Sequence, residues 1–244
     1  AMGRSKWTPQ ATPGDPTVRW IEHEFRVQAR AAGLLTIRTG VEEFFGDREG
    51  ARRIITGEFS WPHLFLRSMP DMAVRSPSGT YLIEAKSAAS NTDNVAVELW
   101  QLLFFRRLGG LVWYLFGWPD ATGRILHARL ALAKNIRPQR IIVPSRVHSW
   151  PEELRSMLRH WLRDEGWGSI VEVRDRVEGS NDPFALFPKS HLSTMVPLDE
   201  WITQYGAGGY PPDAKQIRID WEGRDGAAST WQSVPLQRMR RVGW

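Results

Sequence analysis

Residues 68–87 read SMPDMAVRSPSGTYLIEAKS. Residues 67–76 alternate loosely between apolar and polar, Pro77-Ser78-Gly79 punctuates them, and residues 80–87 form a β-rich apolar run. That succession predicts two β-strands joined by a tight turn. Side chains alternate across a strand, so Leu82, Glu84 and Lys86 fall on one face and Tyr81, Ile83 and Ala85 on the other. A carboxylate and an ammonium on a core-facing strand must be paired or functional, because burying either alone is costly. Asp71 on the preceding strand can lie beside them. Two acids and a lysine are therefore expected at one end of a hairpin; an exposed edge strand carrying a Glu/Lys pair is the alternative.

The flanking segments extend the pattern. Residues 17–32 read as a first helix, with Thr17 as N-cap, Val18, Ile21, Phe25 and Ala29 at helical spacing and Gly33 as the stop. Residues 34–39 read as a short strand. Residues 90–94 (SNTDN) offer N-caps for a helix over residues 95–108, closed by Gly109-Gly110. Its core stripe is Val95, Leu99, Leu102 and Leu103, with Glu98, Gln101 and Phe105 on a neighbouring stripe. Residues 111–116 (LVWYLF) read as a buried central strand.

Pro70-Asp71 followed by Glu84-Ala85-Lys86 resembles the PD-(D/E)xK nuclease superfamily, which includes restriction endonucleases, Holliday junction resolvases and RecB-like and lambda-type exonucleases. The resemblance spans roughly residues 17–117. It implies an α/β, restriction-endonuclease-like core with a central mixed β-sheet flanked by helices, in the order α-β-β-β-α-β, followed by a C-terminal extension. It also implies that Asp71, Glu84 and the backbone carbonyl of Ala85 hold Mg²⁺, with Mn²⁺ able to substitute, and that Lys86 orients or activates the attacking water. Hard carboxylate oxygens suit Mg²⁺, which stabilises charge on a phosphate and acidifies a bound water. Family members carry an acid on the first helix that reaches the metal, and Glu22 fits that position; a solvated helix acid is the alternative. RecB-like members carry Gln-xxx-Tyr on the helix after the hairpin. Gln101 matches, as a contact to substrate or water, but Phe105 stands where the tyrosine would be.

Composition narrows the class. The chain has 244 residues and no cysteine, which excludes disulfides and thiolate zinc sites. No apolar run approaches the roughly 20 residues that cross a bilayer, and residues 1–3 read as a cloning remnant with no signal-peptide core behind them. A soluble, cytoplasmic protein is expected. Residues 1–150 carry 20 Lys/Arg against 13 Asp/Glu, and residues 151–244 carry 12 against 14. The positive excess thus lies with the motif, as a polyanionic partner such as DNA would favour; ordinary solubility charge is the alternative. Residues 206–212 are glycine-rich without a lysine at phosphate-loop spacing, so no nucleotide cofactor is expected.

The organisation expected is an arm over residues 1–16, a nuclease core over residues 17–150 and an α/β extension over residues 151–244, which can belong to the same domain. Residues 125–131 and 140–143 read as strands extending the sheet. Residues 151–165 read as an amphipathic helix with Arg155, Arg159 and Arg163 on one side, residues 171–173 as a short strand and residues 181–188 as a loop. Arg48, Arg52, Arg53 and residues 238–241 are candidate phosphate contacts; His63 reads as structural. Thirteen tryptophans suit core, interface or base stacking. The function expected is a Mg²⁺-dependent DNA nuclease, with an endonuclease favoured and a homodimer as its assembly. The alternative is a non-catalytic nucleic-acid-binding module on the same fold.

Overall fold

The computed structural model describes residues 16–39, 68–77, 79–88, 93–108, 110–119, 125–175, 182–206, 216–222 and 228–235. The N-terminal arm, Arg48, Arg52, Arg53, His63, the cap candidates at 90–92, the loop at 207–212 and the basic cluster at 238–241 lie outside the described residues.

The first helix, α1 (Pro16–Ala31), begins one residue earlier than the sequence predicts. Gly33 follows it at φ 80°, the left-handed region where glycine carries no Cβ penalty. The chain then runs through β1 (Leu35–Arg38), β2 (Met72–Ser76) and β3 (Gly79–Ser87), a meander in which each strand is antiparallel to the next. After β4 (Asn94–Glu98) comes α2 (Leu99–Arg107), which leads into β5 (Val112–Pro119), parallel to β3. The strand β6 (Ile125–Leu132) adds antiparallel to β5, and the short β10 (Val196–Pro197) closes the far edge. The result is a six-stranded mixed sheet ordered β1-β2-β3-β5-β6-β10, flanked by helices, as the α-β-β-β-α-β expectation requires.

Each face of this sheet has its own core. On one face, Met72, Val74, Ile83, Ala85, Trp113 and Leu115 meet Ile21, Phe25 and Ala29 of α1 and Leu198, Trp201 and Ile202 of a C-terminal helix, α4 (Leu198–Gly206). On the other face, Ala73, Leu82, Val112, Tyr114 and Phe116 meet Leu99, Leu102, Leu103 and Phe105 of α2. Fully burying each such large apolar side chain contributes about 1.5–3 kcal/mol.

A second sheet backs this arrangement. It is ordered β4-β9-β7-β8, from β4, β7 (Arg140–Pro144), β8 (Val171–Arg174) and β9 (Phe184–Pro188). Three sequence expectations are corrected here. Residues 95–98 are a strand rather than the start of a helix, because Val95 and Val97 are buried alternately with Ala96 and pair against β9. Residues 140–144 join this second sheet rather than the central one. Residues 184–188 are a strand between β4 and β7 rather than loop, since Phe184, Ala185, Leu186 and Phe187 are all buried and need partners for their backbone groups.

The amphipathic helix α3 (Glu152–Asp164) buries Leu154, Leu158 and Leu162. Its arginine stripe is engaged within the helix: Arg155 and Arg159 pair with Glu152, and Arg163 meets His160. Arg106 fastens the end of α2 by donating to the carbonyls of Ala133, Lys134 and Ile136 and pairing with Glu165 at 2.7 Å. A separate hairpin pairs β11 (Gln216–Glu222) with β12 (Ala228–Pro235). Among the described residues no helix is long and apolar enough to cross a membrane.

Candidate active site

The hairpin register decides the site. Met72, opposite Ile83, is the last paired residue of the hairpin; continued in that register, the ladder would set Asp71 against Glu84 and Pro70 against Ala85. Proline has no N–H, so residue 70 cannot continue the ladder to the Ala85 carbonyl. Its own carbonyl accepts instead from Thr39 Oγ1 at 2.6 Å. The Ala85 N–H, released from the ladder, donates to Asp71 Oδ2 at 2.8 Å. The Pro-Asp dipeptide thus ends the strand and ties an acid beside Glu84.

Across β3, Glu84 is aligned with Tyr114 and Lys86 with Phe116 of β5. These side chains project toward α2. Glu84 Oε1 takes the Lys86 ammonium at 2.6 Å and accepts from Gln101 Nε2 at 2.8 Å. Glu84, Lys86 and Gln101 are 3%, 6% and 5% exposed, so this is a buried and charge-assisted cluster. Among the described residues, Glu84 Oε2, Gln101 Oε1 and the Tyr114 hydroxyl are buried without hydrogen-bond partners.

The electrostatics follow from that burial. Removal from water, and after it the Asp71 charge, push the Glu84 carboxyl well above the usual carboxylate range, against the pull of Lys86. Burial alone would lower the Lys86 ammonium, but Glu84, Glu98 and Asp71 outweigh it and raise it above the ordinary lysine value. Lys86 is therefore a fixed positive charge at neutral pH. Burial first, then Glu84, Glu98 and Asp71, also push the Tyr114 phenol well up.

The structure brings together Asp71, Ala85, Glu84, Lys86 and Gln101 from the sequence-predicted set. It does not bring Glu22 to them. Helix α1 packs on the opposite face of the sheet, where Ile21 and Phe25 meet Ile83 and Ala85, and Glu22 pairs with Arg38 at 3.5 Å. Arg38 is aligned with Met72, on that same face. Among the described residues no three His, Cys, Asp or Glu side chains converge closely enough to hold a metal ion.

Two residues of the neighbourhood were not assigned from sequence. Glu98 stands at the N-cap of α2, makes no side-chain cap bond, and its charge acts on Glu84, Lys86 and Tyr114. The i, i+3 spacing to Gln101 was its available signal, since those positions share a helix face. Tyr114 carried none, because strand alignment alone puts it beside Glu84.

A divalent cation fits the donor set that remains. Glu84 Oε1 is committed to Lys86 and Gln101, whereas Oε2 is not. With Asp71 and the Ala85 carbonyl this makes two carboxylates and one carbonyl, the sparse oxygen set that suits Mg²⁺, which keeps several waters.

The molecule is thus a mixed α/β protein with a central mixed sheet flanked by helices and an acid–lysine cluster on its central strand. No protein-family model matches the chain, and no curated protein matches it. Among solved structures it is similar to Archaeoglobus fulgidus Hjc, a Holliday junction resolvase from an archaeal hyperthermophile. That similarity has 12% identity and a TM-score of 0.37, over 75% of this chain and 98% of that one.

Proposed function

We propose that the protein is a Mg²⁺-dependent DNA nuclease that hydrolyses phosphodiester bonds as an endonuclease. The observation that carries this reading is the pairing of Lys86 with one oxygen of Glu84 while the other oxygen has no partner among the described residues and the Asp71 charge acts on the same carboxyl. Asp71, Glu84 Oε2 and the Ala85 carbonyl would hold the cation, which when bound supplies Lewis-acid stabilisation of the phosphate and acidifies water. Gln101 keeps Glu84 in register by donating to Oε1. Lys86 is held above the ordinary lysine value by the acids around it. Its role is to orient the water and to offset the negative charge that develops on phosphorus oxygens. In the hydrolysis, the water oxygen bonds to phosphorus and releases one proton to solvent, the bridging P–O bond breaks, and the departing sugar oxygen takes one proton from solvent.

One observation favours a second reading, a DNA-binding module without catalysis. The Glu84–Lys86 pair is almost wholly buried, and Asp71 is itself only partly exposed.

A cleavage assay separates the two. Wild type and Lys86→Ala are incubated with Mg²⁺, then Mn²⁺, on circular, linear, single-stranded and branched DNA. The nuclease reading expects wild type to cut circular DNA and Lys86→Ala to lose cutting by at least 100-fold, in line with removal of a charge aimed at the transition state, while DNA binding is retained. Circular dichroism checks the fold of the variant, because removing Lys86 strands a buried carboxylate. Failure of wild type to cut any substrate with either ion would favour the binding module.

A further inference from the structure

Tyr114 is fully buried, and its hydroxyl has no partner among the described residues. Leaving a buried hydroxyl unpaired costs about 1–3 kcal/mol, and phenylalanine would fill the same space without that cost. The side chain is not free to swing away. Its ring stacks on Phe116 at 5.7 Å with 15° between planes and meets Phe105 at 5.5 Å. Strand alignment sets Tyr114 directly beside Glu84, and Gln101 is bound to that same carboxylate. Three buried atoms of these three residues are left over: Tyr114 Oη, Glu84 Oε2 and Gln101 Oε1.

Their chemistry is complementary to one ligand. The carboxylate and amide oxygens are both acceptors, so neither can satisfy the other, and one phenol proton cannot serve both. A single water between them would accept from the phenol and donate one hydrogen to each oxygen, within the two to four bonds of a buried water. We propose that Tyr114 is a positioning residue of the cation site: through one buried water shared with Gln101 Oε1, its hydroxyl holds Glu84 Oε2 toward the cation. The proposal rests on the reading of Asp71 and Glu84 as cation ligands. It gives the hydroxyl a reason to be there, because an outer partner that orients a ligating oxygen typically changes metal affinity 10- to 100-fold.

The test uses the full chain, with Mn²⁺ alone as the probe. Binding is measured by titration calorimetry for wild type and Tyr114→Phe, and thermal midpoints are taken without the ion. The proposal expects Mn²⁺ affinity to fall about 10-fold in Tyr114→Phe, while the ion-free midpoint is unchanged or slightly lower, because one bond to the buried water is lost. Equal affinity in the two proteins, whatever the midpoints, overturns it and leaves the cation site standing. Absence of Mn²⁺ binding in wild type overturns the cation site and the proposal together.

Discussion

At the scale of single residues, Glu84 is where burial and charge conflict most. Its folded-state carboxyl lies above the ordinary value because of burial and Asp71, so between the two values the folded protein binds a proton that the unfolded chain has released. Stability then falls as pH rises through that window, and the contribution is fully present only below the unfolded value. In metal-free solution the thermal midpoint of wild type should drop with rising pH more steeply than that of Glu84→Gln. Scanning midpoints from pH 4 upward with chelator present checks this; parallel profiles would show that Glu84 is not the group responsible. The same proton competes with a cation for Glu84, so Mn²⁺ binding should weaken as pH falls through the raised value. Lys86 works in the opposite sense from an ordinary buried lysine: three acids around it outweigh its desolvation.

At the scale of elements, the end of the β2–β3 hairpin depends on a missing N–H. In the continued register Pro70 falls against Ala85 and cannot donate to it, and Thr39 donates to the Pro70 carbonyl. Pro70→Ala restores a donor that can extend the ladder onto the Ala85 carbonyl. A net hydrogen bond of about 1 kcal/mol is set against the loss of proline's restriction of the unfolded chain, about 0.4–1 kcal/mol. The denaturation midpoint should therefore move little, whereas Mn²⁺ affinity should fall several-fold, as calorimetry would read. Unchanged affinity would remove the Ala85 carbonyl from the ligand set.

The elements also show where sequence reading succeeded. The hairpin was legible because Pro77-Ser78-Gly79 punctuates two β-rich runs, and α1 because Ile21, Phe25 and Ala29 recur at helical spacing. Residues 95–98 misled it. Val95 and Leu99 are four apart and follow several cap residues, so they satisfy a helical template. The structure instead buries Val95 and Val97 on one side of a strand. Local spacing could not arbitrate, because the deciding partner, β9, lies about ninety positions further along.

At the scale of the whole molecule, segments from both sides of residue 150 share sheets and cores. β9 separates β4 from β7, β10 closes the edge beside β6, and α4 covers one face of the central sheet. Trp201 of α4 is fully buried and meets Phe25, Tyr81, Trp113 and Tyr205. Trp201→Ala should cost about 3–5 kcal/mol, measured by chemical denaturation, although the helix lies on the face away from Lys86. A loss below about 1 kcal/mol would mean that this face can collapse around the cavity.

The sequence by itself determined the hairpin, the helix and strand before it, and the grouping of Asp71, Glu84 and Lys86, because strand alternation and a tight turn are local. It also placed Gln101 on the helix that covers them. Only the tertiary structure decided that Glu22 belongs to the other face and pairs with Arg38. It alone set Tyr114 beside Glu84 and left Glu98 uncapped beside the cluster. It alone gathered β4, β7, β8 and β9 into a second sheet. Each of those outcomes depends on which distant segments pack together, and pairing across the chain is set by the burial available in the finished fold.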